Sequence, residues 1–95
     1  MLDEKMKEIV STVAAIIFEY CVVREEEIWF SKLVDKCPTE FNRTNVSMAE
    51  DYLTDICAIT TEWIVIEGNF VNVYRITEMC NDMLRKNWEE YNGKV

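Results

Sequence analysis

Two strand-like runs around a single glycine, followed at once by a helix-capping threonine, restrict this chain more than anything else in it. Glu62-Trp63-Ile64-Val65-Ile66-Glu67 and Phe70-Val71-Asn72-Val73-Tyr74-Arg75-Ile76 are dense in β-branched and aromatic residues. Gly68-Asn69 separates them, which predicts an antiparallel hairpin with a tight turn. A loop at Gly68-Asn69 sets Ile66 against Val71, Ile64 against Val73 and Glu62 against Arg75 on one face. It sets Trp63 against Tyr74 and Val65 against Asn72 on the other. Both faces carry apolar side chains, so one of them needs a cover from outside the chain's own core. Thr77 then caps a last amphipathic helix built on Met79, Cys80, Met83, Leu84, Trp88 and Tyr91, with Gly93 just past its end.

The residues before the hairpin read as helices. Asp3 caps the first, with Glu4 near its positive end. Met6, Ile9, Val10, Val13, Ala14, Ile16, Ile17, Tyr20 and Cys21 follow the helical period and cover more than one face. A stripe this wide predicts a helix that lies centrally and also meets a second subunit. Cys21-Val22-Val23-Arg24 reads as a short extended stretch. A second helix is expected to open on Glu25-Glu26-Glu27, where three acids suit the macrodipole. A solvated helix start is the ordinary role of such a run; a metal or a basic partner is the functional alternative. Ile28, Trp29, Leu33 and Val34 form the buried face, Lys32 and Lys36 the exposed one, and Pro38 stops the helix near Cys37. A third helix begins between Asn42 and Ser47. Ser47 to Glu50 fits a capping box, while Thr44 or Asn45 would cap a longer version. Val46, Ala49, Leu53, Ile56 and Cys57 mark its inner side.

The order helix, short strand, helix, helix, hairpin, helix is that of an α+β winged helix-turn-helix. The tail carries a further likeness. Tyr74, Ile76 and Thr77, where a strand runs into a capping threonine, resemble the end of the wing in MarR-like and PadR-like transcription regulators. The glycine usual after that threonine is absent, and Cys80 stands in its place. The segment Val46 to Ile59 resembles the recognition helix by position and apolar spacing. The resemblance implies a homodimer whose third helix enters the DNA major groove, with the hairpin on the flanking backbone.

The totals bound the remaining choices. With 95 residues the chain is expected to form one domain, and its 49% apolar content suits a globular protein. A core this small favours oligomerisation. A homodimer through the first and last helices is expected, using Ile9, Val13 and Ile16 with Trp88 and Tyr91. No apolar run approaches the ~20 residues of a membrane span, and the first residues lack the basic region of a signal peptide, so a cytoplasmic location is expected. The four cysteines are widely spaced and histidine is absent. Buried free thiols are expected rather than a zinc site, and no metal or cofactor is predicted. Two glycines, no phosphate loop and no nucleophile motif argue against an enzyme.

Charge bears directly on the winged-helix reading. The net charge is -8, and no lysine or arginine occurs between Thr44 and Tyr74. That stretch holds Glu50, Asp51, Asp55, Glu62 and Glu67, which would repel the phosphates a reading surface must approach. Arg43, Thr44, Asn45 and Ser47 at the helix start, with Asn69 and Asn72 in the wing, remain as candidate DNA contacts. Lys32, Lys36 and Arg75 are candidates for the phosphate backbone. A regulator-type protein follows from the fold by analogy. The competing reading is a protein-docking module anchored by Trp63, Phe70 and Tyr74 on the hairpin and by Trp88 and Tyr91 on the last helix. A DNA mimic, with carboxylates standing for phosphates, is more remote.

Overall fold

The computed structural model describes residues 2–93. Helix α1 runs Glu4–Phe18, and Asp3 caps it by accepting the Met6 amide at 2.8 Å. Every residue from Thr12 to Phe18 is buried. A helix that is apolar all round must lie inside a protein, and α1 packs against the second, third and last helices and against the hairpin. Its wide stripe is therefore covered within one chain.

The extended stretch expected at Cys21 to Arg24 does not form. The helix instead continues into a π-helical turn, Glu19–Val23, closed by the Arg24 amide on the Glu19 carbonyl at 2.8 Å. Burial of Tyr20, one turn beyond Ile16 and Ile17, keeps the backbone helical, and the wider turn absorbs an extra residue. Glu25 then takes a left-handed φ of 54° and the chain turns away. The acids Glu25 to Glu27 lie in the connection rather than in a helix. Helix α2 is short, Phe30–Lys36, and starts from an extended Trp29. It buries Leu33 and ends at Cys37, whose extended backbone precedes Pro38 as proline sterics require.

Helix α3 spans Arg43–Asp55. Its cap is Asn42, not Thr44, Asn45 or Ser47. Asn42 accepts the Asn45 amide at 2.8 Å, and the Asn45 side chain accepts the Asn42 amide in return. Val46, Ala49 and Leu53 face inward as expected, but Ile56 and Cys57 do not. The helix has ended by then, with Cys57 left-handed at φ 60°.

Strands β1 (Ile59–Ile66) and β2 (Asn69–Ile76) form the hairpin. Its turn is Glu67-Gly68, so Ile66 pairs with Asn69, Ile64 with Val71 and Glu62 with Val73. Both turn residues have positive φ, 49° and 82°, the signature of a type I′ turn with glycine second. The expected register is thus displaced by two across the ladder. An even displacement preserves the faces. Ile64, Ile66, Val71 and Val73 still share one side, and Trp63 and Val65 share the other with Phe70, Asn72 and Tyr74. A third, one-residue participant pairs with β2: Trp29 bridges Val73, and the Tyr74 amide donates to the Ile28 carbonyl at 3.0 Å. This bridge stands where the sequence suggested a strand several residues earlier.

Thr77 follows β2, but its hydroxyl caps no helix. It donates to the Cys57 carbonyl at 2.7 Å and ties the exit of the hairpin to the end of α3. A 3₁₀ turn, Glu78–Cys80, leads into helix α4, Asn81–Gly93. Leu84 is the buried residue of α4, with Trp88 half-buried against Phe18. Met79 and Met83 point outward instead of joining the core. The assembly is an α+β winged helix: α2 and α3 are the helix-turn-helix and the hairpin is the wing.

The turn assignment carries a direct consequence. No atom lies within 4 Å of a Cβ added at Gly68, so only the backbone penalty separates glycine from alanine. Gly68→Ala should cost about 1 kcal/mol, read as a lower denaturation midpoint with an unchanged slope. An unchanged midpoint would place the turn elsewhere.

Candidate functional site

In a winged helix the outer face of α3 and the wing are the surfaces presented to a macromolecular partner. The root of the wing is firmly held. Tyr74 is buried, and its hydroxyl donates to the Glu50 carboxylate on α3. Burial first, then this bond, pushes the phenol far above its usual range, so it stays protonated as the donor. Arg75 grips Glu27 through both terminal nitrogens, each at 3.1 Å, and lies 3.5 Å from Glu62. The pair is partly exposed, and its two-pronged geometry fixes position more than it adds stability.

Beyond the root, the wing projects with an uncovered apolar face. Trp63 is 67% exposed, Val65 60% and Phe70 78%. Val65 sits opposite Phe70, and Trp63 opposite Asn72, so the three large side chains are neighbours on one side of the ladder. The Asn72 side-chain oxygen is shut off from solvent with no hydrogen-bond partner. On α3, Met48, Tyr52 and Ile56 form a second exposed apolar row, four residues apart, beside Asp51 and Asp55. The row follows an i, i+4, i+8 spacing, with Ile56 just past the last residue of the helix.

The candidate DNA contacts are dispersed or engaged. Asn45 is spent on the capping box with Asn42. The Arg43 guanidinium lies 4.9 Å over the Phe30 ring. Thr44 is exposed in the first turn and Ser47 is half-buried. Asn69 is exposed at the start of β2 and reaches back to the Glu67 carbonyl at 3.5 Å. Asn72 faces Trp63 across the strands. Among the candidate backbone contacts, Lys32 donates to the Glu27 carbonyl at 2.7 Å and sits over the Tyr20 and Trp29 rings. Arg75 is paired as described, and Lys36 is exposed at the end of α2.

The candidate partner residues divide cleanly. Trp63 and Phe70 are free on the wing tip, and Trp88 and Tyr91 are half-buried on α4. Ile9, Val13, Ile16 and Tyr74 are enclosed in this chain's own core and offer nothing to a second copy. The width of the first helix's stripe, read as a sign of two contacts, is used up by α2, α3, α4 and the wing.

Among the described residues no three histidine, cysteine, aspartate or glutamate side chains converge as metal ligands do, and no helix is long and apolar enough to cross a membrane. Burial pushes the thiols of Cys21 and Cys37 up to about 11, whereas Cys57 is exposed at the end of α3. Raised thiols carry little thiolate at neutral pH. Iodoacetamide should therefore modify Cys57 before Cys21 and Cys37 in the folded protein, which peptide mass mapping checks. Early labelling of Cys37 would mean that the α2 packing is wrong.

No protein-family model matches the chain, and no curated protein sequence does, so the likeness to MarR-like and PadR-like regulators has no support at the level of sequence. Solved structures do match its fold. The circadian clock associated protein Pex from Anabaena superposes with a TM-score of 0.66 at 20% identity, over 87% of this chain and 78% of that one. Pex from Synechococcus gives 0.59 at 20% identity, over 87% and 80%.

Proposed function

We propose that this winged helix is a non-enzymatic regulator-type protein that docks a partner protein through the outer face of its wing, without reading DNA through α3. The exposed row Trp63, Val65 and Phe70 carries the proposal. Three large apolar side chains held in water on a rigid ladder are unfavourable unless something covers them. Aromatic residues at the centre of an interface supply most of its binding energy. Glu67 in the turn lies at the end of the row, and no cation lies between Thr44 and Tyr74. The complementary surface is thus an apolar pocket ringed by lysine or arginine on another protein. The fold shared with a clock-associated protein supports a regulatory role.

DNA is the competing partner, and the free groups suited to it are few. Asn45 is occupied by capping, Lys32 and Arg75 by internal partners, and only Arg43 and Thr44 stand open at the α3 start. Phosphate binding depends on several cations acting together.

The test uses the full chain as bait beside a Trp63→Ser, Phe70→Ser variant, followed by titration of the purified captured partner. Both positions are exposed, so the variant should keep its thermal midpoint. Loss of two anchors should weaken binding by roughly a hundredfold or more, and the association rate of the wild type should fall with salt. Equal affinity of the two chains for the purified partner would refute the wing as the docking surface.

A further inference from the structure

A second feature lies away from the wing. An open cleft of about 400 Å³ sits where the end of α1 and its π-helical turn meet the C-terminal half of α4 and the end of α2. Ala15, Ile16 and Tyr20 are its buried lining, and Trp88, Tyr91 and Asn92 come from α4. Its volume falls within the range of small-molecule sites. The lining is also pre-set rather than loose. Glu19 uses both carboxylate oxygens: one accepts the Trp88 indole N–H at 2.8 Å and the other accepts Arg24 Nε at 3.1 Å. Phe18 backs the Trp88 ring at 5.8 Å, and the Arg24 guanidinium is stacked 4.8 Å from the Tyr20 ring. The Asn92 amide donates to the Trp88 carbonyl at 2.9 Å, leaving its own oxygen available.

This cleft brings two cations together in an acidic chain. Its lining holds two cations, Arg24 and Lys36, against one carboxylate, Glu19, in a protein of net charge -8. Glu26 also pairs with Arg24, at 3.8 Å, so Arg24 stands between two carboxylates. Lys36 has no ion pair among the described residues. Tyr20 lies in the π-helical turn and Arg24 directly after it, and both line the cleft.

We propose that this cleft binds a small organic anion with a flat apolar body, the anionic group at Lys36 and the body against Trp88. The Glu19 carboxylate orients both Trp88 and Arg24, and its charge offsets that of Arg24, so Lys36 is the cation left to meet the ligand. Recognition needs both halves: a free anion lacks the apolar body, and a neutral aromatic lacks the contact with Lys36.

A naphthoate serves as probe and naphthylmethanol as its neutral counterpart, each titrated into the full chain while the indole N–H resonances are followed by NMR. Naphthoate should shift the Trp88 indole and Asn92 amide signals saturably below roughly millimolar concentration. Lys36→Ala, at an exposed helix end, should weaken it about three- to fivefold, as should replacing naphthoate by the alcohol. No saturable shift at Trp88, equal binding by the Lys36→Ala chain, or shifts confined to residues outside the cleft would each overturn the proposal.

Discussion

The burial of α1 from Thr12 to Phe18 governs the rest of this structure. Fully burying side chains such as Val13, Ile17 and Phe18 contributes about 1.5–3 kcal/mol each. That gain is available only if neighbours surround the helix on every side. In a small chain those neighbours can only be α2, α3, α4 and the base of the hairpin. Each of them gives its one strongly apolar stripe to α1. What remains outside is the far face of α3, the wing beyond its root, and the ends of α1 and α4. The candidate functional surfaces are the leftovers of this packing arrangement.

The wing shows the same logic locally. An isolated two-stranded hairpin is barely stable in water. Here its base is joined to the body at four points: Tyr74 to Glu50, Arg75 to Glu27, Val73 to Trp29, and Thr77 to Cys57. With the base fixed, the tip can carry Trp63, Val65 and Phe70 in solvent without a core beneath them. The anchoring also consumes polar groups that a DNA-binding wing would turn outward. Arg75 and Lys32 hold the domain together and are not left to meet phosphates.

Much of this was legible in the sequence. The hairpin, the helical period of α1, the stop at Pro38 and the inner face of α3 all follow from spacing and residue type. The two faces of the wing were legible as well, because strand alternation survives an even shift of register. The register itself was not, since Gly-Asn and Glu-Gly are both plausible turns around the same glycine and the residue types alone do not choose between them. The π-helical turn could not be read, because Val22 and Val23 favour extension locally while burial of Tyr20 favours helix. Thr77 was recognised as a boundary, but the destination of its hydroxyl depends on a carbonyl twenty residues away. Of the candidate site, Trp63 and Phe70 are exposed on the wing. Tyr74, Ile9, Val13 and Ile16 were misplaced because an apolar residue in a helix or strand does not announce which neighbour covers it.

Docking through the wing, as proposed, requires an acidic, apolar outer surface that does not hold phosphate. Fluorescence anisotropy with mixed-sequence duplex DNA, at low and at moderate salt, tests this most directly. No rise in anisotropy is expected even at low salt, where any set of phosphate contacts is strongest. Binding at low salt that falls steeply as salt is raised, and that weakens when Arg43 is replaced by alanine, would contradict it and return the wing and α3 to the reading of DNA.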